Sequence, residues 1–347
     1  MRDILNDVDL WVKEGESIAL ATVIHTWGSA PRRAGAKMAL TKSGKITGSV
    51  SGGCVETAVF EAGLQSLRSG QPQLLKFGVA DETAWQVGLA CGGQIEIFVQ
   101  ALDLTFFELW KARLLSDESF SVVSLIDGPD SFPGRTMLVT QDSVQLSLEK
   151  GLDELCIAKS RAVLADGRSQ PVDLEWQSIP VRVFIEVVQP MPTLIMVGGV
   201  HIAIALTALA KTLGFQTLVI DPRRAFGNAA RFPDVDRLIP SWPEEAFSEI
   251  EISSSDAVVL LTHDPKIDDP ALKEVLSSPA FYIGALGSRT THEKRIRRLL
   301  ADDVTPAQLE RLHAPIGLDI GAETPQEIAL AIMAEIVAAQ HHKSLST

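Results

Sequence analysis

From Thr193 to its end the chain alternates short apolar runs with helix-patterned stretches, a rhythm that few architectures accept. Thr193–Val197 leads to a helical pattern over His201–Leu213, then to a second apolar run at Gln216–Ile220. Ala257–Leu261 precedes a helix over Asp268–Leu276, and Phe281–Ala285 precedes one over Ser288–Leu300. The last helix opens on Thr324-Pro325-Gln326-Glu327, with threonine as N-cap, proline at the first position and glutamate three residues on, a capping box. Ile328, Ile332 and Ile336 then recur at helical spacing. Strands that alternate with helices pair in parallel and are covered on both faces, so this half predicts a doubly wound parallel sheet.

Pro190 and Pro192 fall just before this pattern begins, and two prolines so close continue neither a helix nor a central strand. They divide the sequence into residues 1–190 and 191–347. The fold expectation is α/β: an N-terminal mixed α+β domain followed by a Rossmann-like C-terminal domain. In the first half, Ile18 to Ile24 has strand character, and Lys37–Thr41 with Lys45–Ser49 reads as a hairpin turning at Ser43-Gly44. Cys54 to Arg68 has helical spacing and stops at Gly70; Gln94–Gln100 alternates as a half-buried strand does. Ile4, Leu5, Val8 and Trp11 mark one face of a short N-terminal helix, a helix over Leu104–Leu115 follows the Gln94 strand, and Ser119 to Val188 reads as several short strands.

The net charge of −13 and the single tyrosine speak against general nucleic-acid binding. Five cations, Arg289, Lys294, Arg295, Arg297 and Arg298, nevertheless crowd one stretch; the last four are expected on a solvated helix face. The uncharged run Thr193–Ala210 is interrupted by Gly198, Gly199 and His201, and fits a buried strand, turn and helix better than a membrane span. The acidic N-terminus lacks a signal-peptide pattern, and three irregularly spaced cysteines form no disulfide framework and no C-x-x-C pair. A cytoplasmic protein with reduced thiols is expected.

In a doubly wound sheet, ligands bind at the carboxyl ends of the strands. Gly198-Gly199-Val200-His201, Asp221-Pro222-Arg223-Arg224, Thr262-His263-Asp264-Pro265 and Gly287-Ser288-Arg289 all fall there. Asp221 is placed to bond a ribose hydroxyl, and Ser288 with the amides at its helix start and Arg289 is placed to hold a phosphate. This supports one alternative, an NAD(P)-dependent oxidoreductase using Gly198 and Asp221. Val200 stands where the dinucleotide fingerprint has a glycine, which argues against NAD(P).

The first half carries two cysteine–glycine motifs, Ser51-Gly52-Gly53-Cys54-Val55-Glu56 and Cys91-Gly92-Gly93. Paired glycines let backbone approach a bulky group, and a thiol beside them can be a soft metal ligand, a sulfur carrier or a nucleophile. Gly28-Ser29-Ala30-Pro31-Arg32 adds backbone amides and a fixed charge for an anion, while Cys54 falls near a helix start whose free amides would favour a thiolate. Cys156, between Leu155 and Ile157, reads as structural. No G-x-S-x-G elbow, H-E-x-x-H pair or phosphate-binding G-x-x-x-x-G-K-S/T loop is present, so no catalytic residue is assigned.

These motifs, together with Gly48-Ser49-Val50 and Pro315-Ile316-Gly317-Leu318-Asp319-Ile320-Gly321-Ala322, resemble the xanthine dehydrogenase accessory proteins of the XdhC/CoxI family, in order and along nearly the whole chain. The resemblance implies a maturation chaperone rather than an enzyme. It would bind molybdenum cofactor, protect it during sulfuration and deliver it to a xanthine dehydrogenase-type molybdoenzyme, with a cysteine desulfurase as a further partner. Cofactor contacts would then fall to Cys54, Cys91, Ser51, Gly52, Gly53, Gly92, Gly93, Ser29, Arg32, Asp221, His263, Ser288 and Arg289, with Cys54 as the molybdenum contact. Neither nucleic acid nor membrane is expected as a partner. A homodimer is, since closed symmetric pairs are the commonest assemblies.

Overall fold

The computed structural model describes residues 2–28, 32–78, 93–116, 118–129 and 132–341. The chain divides into two compact units, Met1–Pro190 and Met191–Thr347.

In the first unit a 3-10 turn at Arg2–Ile4 runs into α1 (Leu5–Lys13), which buries Val8 and Trp11. The strands β1 (Ile18–Trp27), β2 (Lys37–Thr41), β3 (Ile46–Gly48), β4 (Gln73–Phe77) and β5 (Gln94–Ala101) form an antiparallel sheet in the order β3-β2-β1-β5-β4. Strand alternation sends Ile95, Ile97 and Val99 under α2 (Glu56–Ser69), where they meet Val59 and Ala62. Gly70, at φ 72°, closes that helix in the left-handed conformation that glycine takes most easily.

A second antiparallel sheet follows α3 (Leu104–Leu115). It contains β6 (Phe120–Asp127), β7 (Thr136–Val139), β8 (Val144–Gln145), β9 (Gln170–Trp176) and β10 (Ile179–Val188) in the order β8-β7-β6-β10-β9. The two sheets meet through Ile24 and Phe98 of one and Ile126 and Phe184 of the other. A buried ion pair also joins them: Lys37 Nζ lies 2.8 Å from Glu186 Oε2, with Thr22 Oγ1 accepting a further bond from the same ammonium at 3.1 Å.

One element departs from the strand-rich reading of Ser119–Val188. Between β8 and β9 lies a helix, α4 (Leu152–Asp166), whose buried stripe is Leu152, Cys156, Ser160 and Val163. Ser160 interrupts the apolar pattern, and its hydroxyl is matched by that of Ser121 on β6. Cys156 is fully buried, and burial, aided by Asp153, pushes its thiol up to about 12, so it is a structural thiol.

The second unit is a six-stranded, all-parallel sheet of β11 (Thr193–Val197), β12 (Gln216–Ile220), β13 (Arg237–Ile239), β14 (Ala257–Leu260), β15 (Tyr282–Ala285) and β16 (Leu312–His313). Its order, β13-β12-β11-β14-β15-β16, reverses between β11 and β14, as in the Rossmann fold. The helices α5 (His201–Thr212) and α10 (Pro325–Gln340) cover one face through Leu206, Ile332 and Ile336. The other face packs on α6 (Pro243–Ser248), α7 (Pro265–Leu276), α8 (Arg289–Ala301) and α9 (Pro306–Leu309), including Ala246, Leu272 and Leu299. The Thr324 capping box opens α10 as expected. The uncharged run from Thr193 forms β11 and α5, and no described helix is long and apolar enough to cross a membrane.

Candidate functional site

Strand pairing gathers three of the sequence motifs at one end of the first sheet. β1 is antiparallel to both β2 and β5, and β3 is antiparallel to β2, so the exits of β1 and β3 lie beside the entry to β5. Gly28 follows Trp27, whose register partner is Gln94, and Gly93 is buried immediately before Gln94. Gly48, which ends β3, has no room for a side chain: a Cβ there would sit 2.3 Å from the Lys37 carbonyl oxygen. Ser29, Cys91 and Gly92 lie outside the described residues.

The loop leaving β3 is organised by Glu56. Its Oε1 accepts from the Ser49 hydroxyl (2.7 Å) and the N–H groups of Val50 (3.3 Å), Ser51 (2.9 Å) and Gly52 (3.0 Å). Its Oε2 accepts from the Ser51 hydroxyl (2.5 Å) and the N–H groups of Gly53 (2.9 Å) and Val55 (3.2 Å). Burial pushes the Glu56 carboxyl up, but the Ser51 and Ser49 hydroxyls and the surrounding amides outweigh it and hold the group at about 2. Ser51 Oγ in turn accepts from the N–H groups of Cys54 (3.0 Å) and Val55 (3.1 Å). Gly52 (φ 82°) and Gly53 (φ 123°) take the left-handed backbone that lets successive amides converge on one carboxylate.

This corrects the expectation that the loop offers free amides to a thiolate or a guest. The helix begins at Glu56, two residues after Cys54, and the amides from Val50 to Val55 are filled by Glu56 and Ser51. The Cys54 side chain is left exposed on a fixed loop, beside exposed Gly52 and Gly53. Arg32 reaches the same loop, its Nε donating to the Ser49 carbonyl at 3.1 Å, with Asp3 Oδ2 3.6 Å from its guanidinium. Among the described residues no cluster of three His, Cys, Asp or Glu side chains could hold a metal ion.

In the second unit the remaining predicted residues line the carboxyl edge of the sheet. Asp221, at the end of β12, is fully buried and turned into the chain. Its Oδ2 accepts from the Gly199 N–H (2.7 Å) and Arg223 Nη2 (2.7 Å), and its Oδ1 from the N–H and Nε of Arg223 (both 2.9 Å). Burial raises its pKa, but the Arg223 guanidinium and these amides win and leave it below the usual carboxylate range. The carboxylate expected to meet a ribose is therefore saturated by its own protein. The glycine turn is equally close-packed: a Cβ on Gly199 would lie 2.7 Å from the Phe226 carbonyl oxygen, and one on Gly198 2.5 Å from Thr262 Cγ2. His263 is exposed after β14 with φ 64°; Ser288 caps α8 and Arg289 is exposed at its first position.

Sequence reasoning missed two residues that matter here. Glu56 stands in the cysteine–glycine motif as a plain helix-start acid, and its role comes from backbone amides that residue identity does not announce. Arg295 was expected in solvent and is instead buried.

The molecule thus combines an antiparallel unit that presents a clamped cysteine–glycine loop with a Rossmann sheet whose dinucleotide turn is filled from within. Residues 11–78 match the model of the XdhC and CoxI family, and residues 194–336 match that of the XdhC Rossmann domain. The chain belongs to the XdhC and CoxI family. A Bacillus subtilis (strain 168) protein whose name makes it a probable xanthine dehydrogenase subunit is 29% identical over 335 residues, covering 95% of each chain. The molybdenum cofactor insertion chaperone PaoD of Escherichia coli (strain K12) is 25% identical over 330 residues, 95% of this chain and 85% of its own. A crystal structure described as a xanthine dehydrogenase from Bacillus halodurans superposes with a TM-score of 0.79 at 25% identity, covering 99% of this chain and 97% of the other.

Proposed function

We propose that this protein is a molybdenum cofactor chaperone that holds the cofactor at the Cys54 loop, through its sulfuration, and passes it to a xanthine dehydrogenase-type apo-enzyme. The observation that carries the reading is the exposed Cys54 thiol on a loop that Glu56 has already immobilised. A soft sulfur ligand suits a soft metal–sulfur centre, and a fixed loop spends little entropy on binding. Two relatives carry names that agree with this chemistry: one is a molybdenum cofactor insertion chaperone, the other a probable component of xanthine dehydrogenase.

The fit to the cofactor is specific about which residues serve. Cys54 would contact the metal or its sulfur ligand, and Gly52 and Gly53 would leave room for the bulky group. Arg32, already bonded to the loop through Nε, would add charge from its remaining nitrogens. The amides of Ser51, Gly52 and Gly53 are held by Glu56, so they do not supply the donors for the cofactor's phosphate. Cys91 would be the second thiol. A cysteine desulfurase, a homodimeric state and a cytoplasmic location belong to the same proposal. The alternative of an NAD(P)-dependent oxidoreductase is disfavoured by the saturated Asp221 carboxylate.

Anaerobic binding of molybdenum cofactor to the wild type, Cys54→Ala, Cys91→Ala and the double variant tests the proposal. Binding by wild type that Cys54→Ala sharply weakens is expected. Affinity unchanged in all three variants would remove the cysteines from the site, and no binding by wild type would remove the function.

A further inference from the structure

Arg295 lies in the second turn of α8, and its side chain is only 2% exposed. Its Nη2 donates to the Leu286 carbonyl at 3.0 Å and to Asp268 Oδ2 at 3.3 Å. Its Nε and Nη1 are enclosed and have no partner among the described residues. A guanidinium stays charged, and leaving charged N–H groups enclosed without acceptors costs more than leaving a neutral donor so. Asp268 meets only Nη2, through Oδ2, while its Oδ1 accepts from Thr262 Oγ1 at 2.5 Å, so the carboxylate leaves Nε and Nη1 without an acceptor.

The unbonded edge of this guanidinium lies beneath the turn that starts α8. Nη1 is 3.9 Å from the point where a Cβ of Gly287 would be, a point that Thr291 Cγ2 also approaches to 3.2 Å, so only glycine, here at φ 145°, fits between them. Above it, Ser288 caps the helix, its Oγ accepting from the Thr291 N–H at 3.2 Å. The N–H groups of Arg289 and Thr290 have no hydrogen-bond partner among the described residues, and the first turn carries no acid. His292 Nδ1, on the same turn, is likewise enclosed and unpartnered. Open amides at a helix start attract an anion, and a buried cation behind them deepens that attraction.

We propose that the start of α8 is a binding site for a phosphate group, held by the N–H groups of Arg289 and Thr290 and the Ser288 hydroxyl, with Arg295 supplying positive charge from beneath. The site lies outside the Cys54 loop and does not depend on its function. It also differs from the usual diphosphate position of the fold, the turn before α5, where the Gly199 N–H is already given to Asp221.

Calorimetric titration of the full-length protein with inorganic phosphate and, separately, with ribose 5-phosphate at constant ionic strength tests the site. Saturable binding of at least one is expected, and the tighter of the two tells whether the site takes the free anion or an ester. Arg289→Pro deletes one N–H at a helix position that tolerates proline, and Ser288, at φ −73° and ψ 164°, already has the extended backbone required before it. Arg289→Pro is expected to bind about tenfold more weakly than the side-chain control Arg289→Ala, and Arg295→Gln to weaken binding at least as much. Should Arg295→Gln not fold, the proline–alanine pair decides. Saturation by neither ligand, or equal affinity in Arg289→Pro and Arg289→Ala, overturns the proposal.

Discussion

Glu56 and Ser51 hold each other twice: the carboxylate takes the Ser51 N–H at 2.9 Å and the Ser51 hydroxyl at 2.5 Å. This pair of hydrogen bonds ties the start of α2 to the loop leaving β3 and leaves Cys54 as the outward feature between them. Glu56→Gln keeps the size and loses the charge, and one of its terminal atoms becomes a donor facing donors. The expected result is a loss of about 1–3 kcal/mol in stability, with faster amide exchange confined to residues 50–55. Hydrogen exchange read by mass spectrometry checks it; unchanged protection there would mean that the loop is rigid for another reason.

The same carboxylate makes stability depend on pH. Its pKa falls from an ordinary 4.5 to about 2 in the folded protein. A depressed acid stabilises the fold above its unfolded pKa, and the contribution is lost as pH falls through the folded one. Thermal unfolding of the wild type should therefore lose stability faster than Glu56→Gln between pH 4.5 and about 2, while the gap stays constant above pH 5. Parallel curves through the acid range would refute the assignment.

Lys37 and Glu186 make a different kind of test, because both side chains are almost wholly enclosed, at 4% and 9% exposure. Lys37→Met leaves a buried carboxylate without its cation, and about 3–5 kcal/mol of destabilisation is expected. The double change Lys37→Met, Glu186→Leu removes both charges and should recover most of that loss. Urea unfolding of the four proteins gives the coupling directly; additive losses would show that the two charges do not stabilise one another.

What the sequence disclosed follows from where each signal resides. The Thr324 capping box and the uncharged β11–α5 run are readable because their partners lie within a few residues. The helix α4 is hidden by Ser160, whose buried hydroxyl makes sense only beside Ser121, which is distant in sequence. Arg295 looks like surface because its partner Asp268 comes from another helix. The clamp at Glu56 draws mostly on backbone amides, which every residue but proline possesses, so their convergence leaves no mark in residue identity. Asp221 is legible as a carboxylate at a strand end; the direction it faces is set by Arg223 two residues later.

Arg223 therefore gives the sharpest test of the Rossmann unit. Its guanidinium lies on the Phe226 ring, 4.2 Å from the centroid, and covers Asp221 with two of its nitrogens. Arg223→Ala strips those donors but keeps the Gly199 and Arg223 amides, so Asp221 stays bonded by backbone alone. A loss of about 1.5–3 kcal/mol is expected for charge-assisted bonds of this kind. Neither wild type nor variant should bind NADH or NADPH saturably, because Phe226 crowds Gly199 and Val200 takes the place of the second fingerprint glycine whether or not Arg223 is present. Fluorescence titration with both nucleotides reads this directly. Saturable binding by Arg223→Ala alone would show that the arginine is a removable plug over a working site, and binding by the wild type would return the oxidoreductase reading to the front.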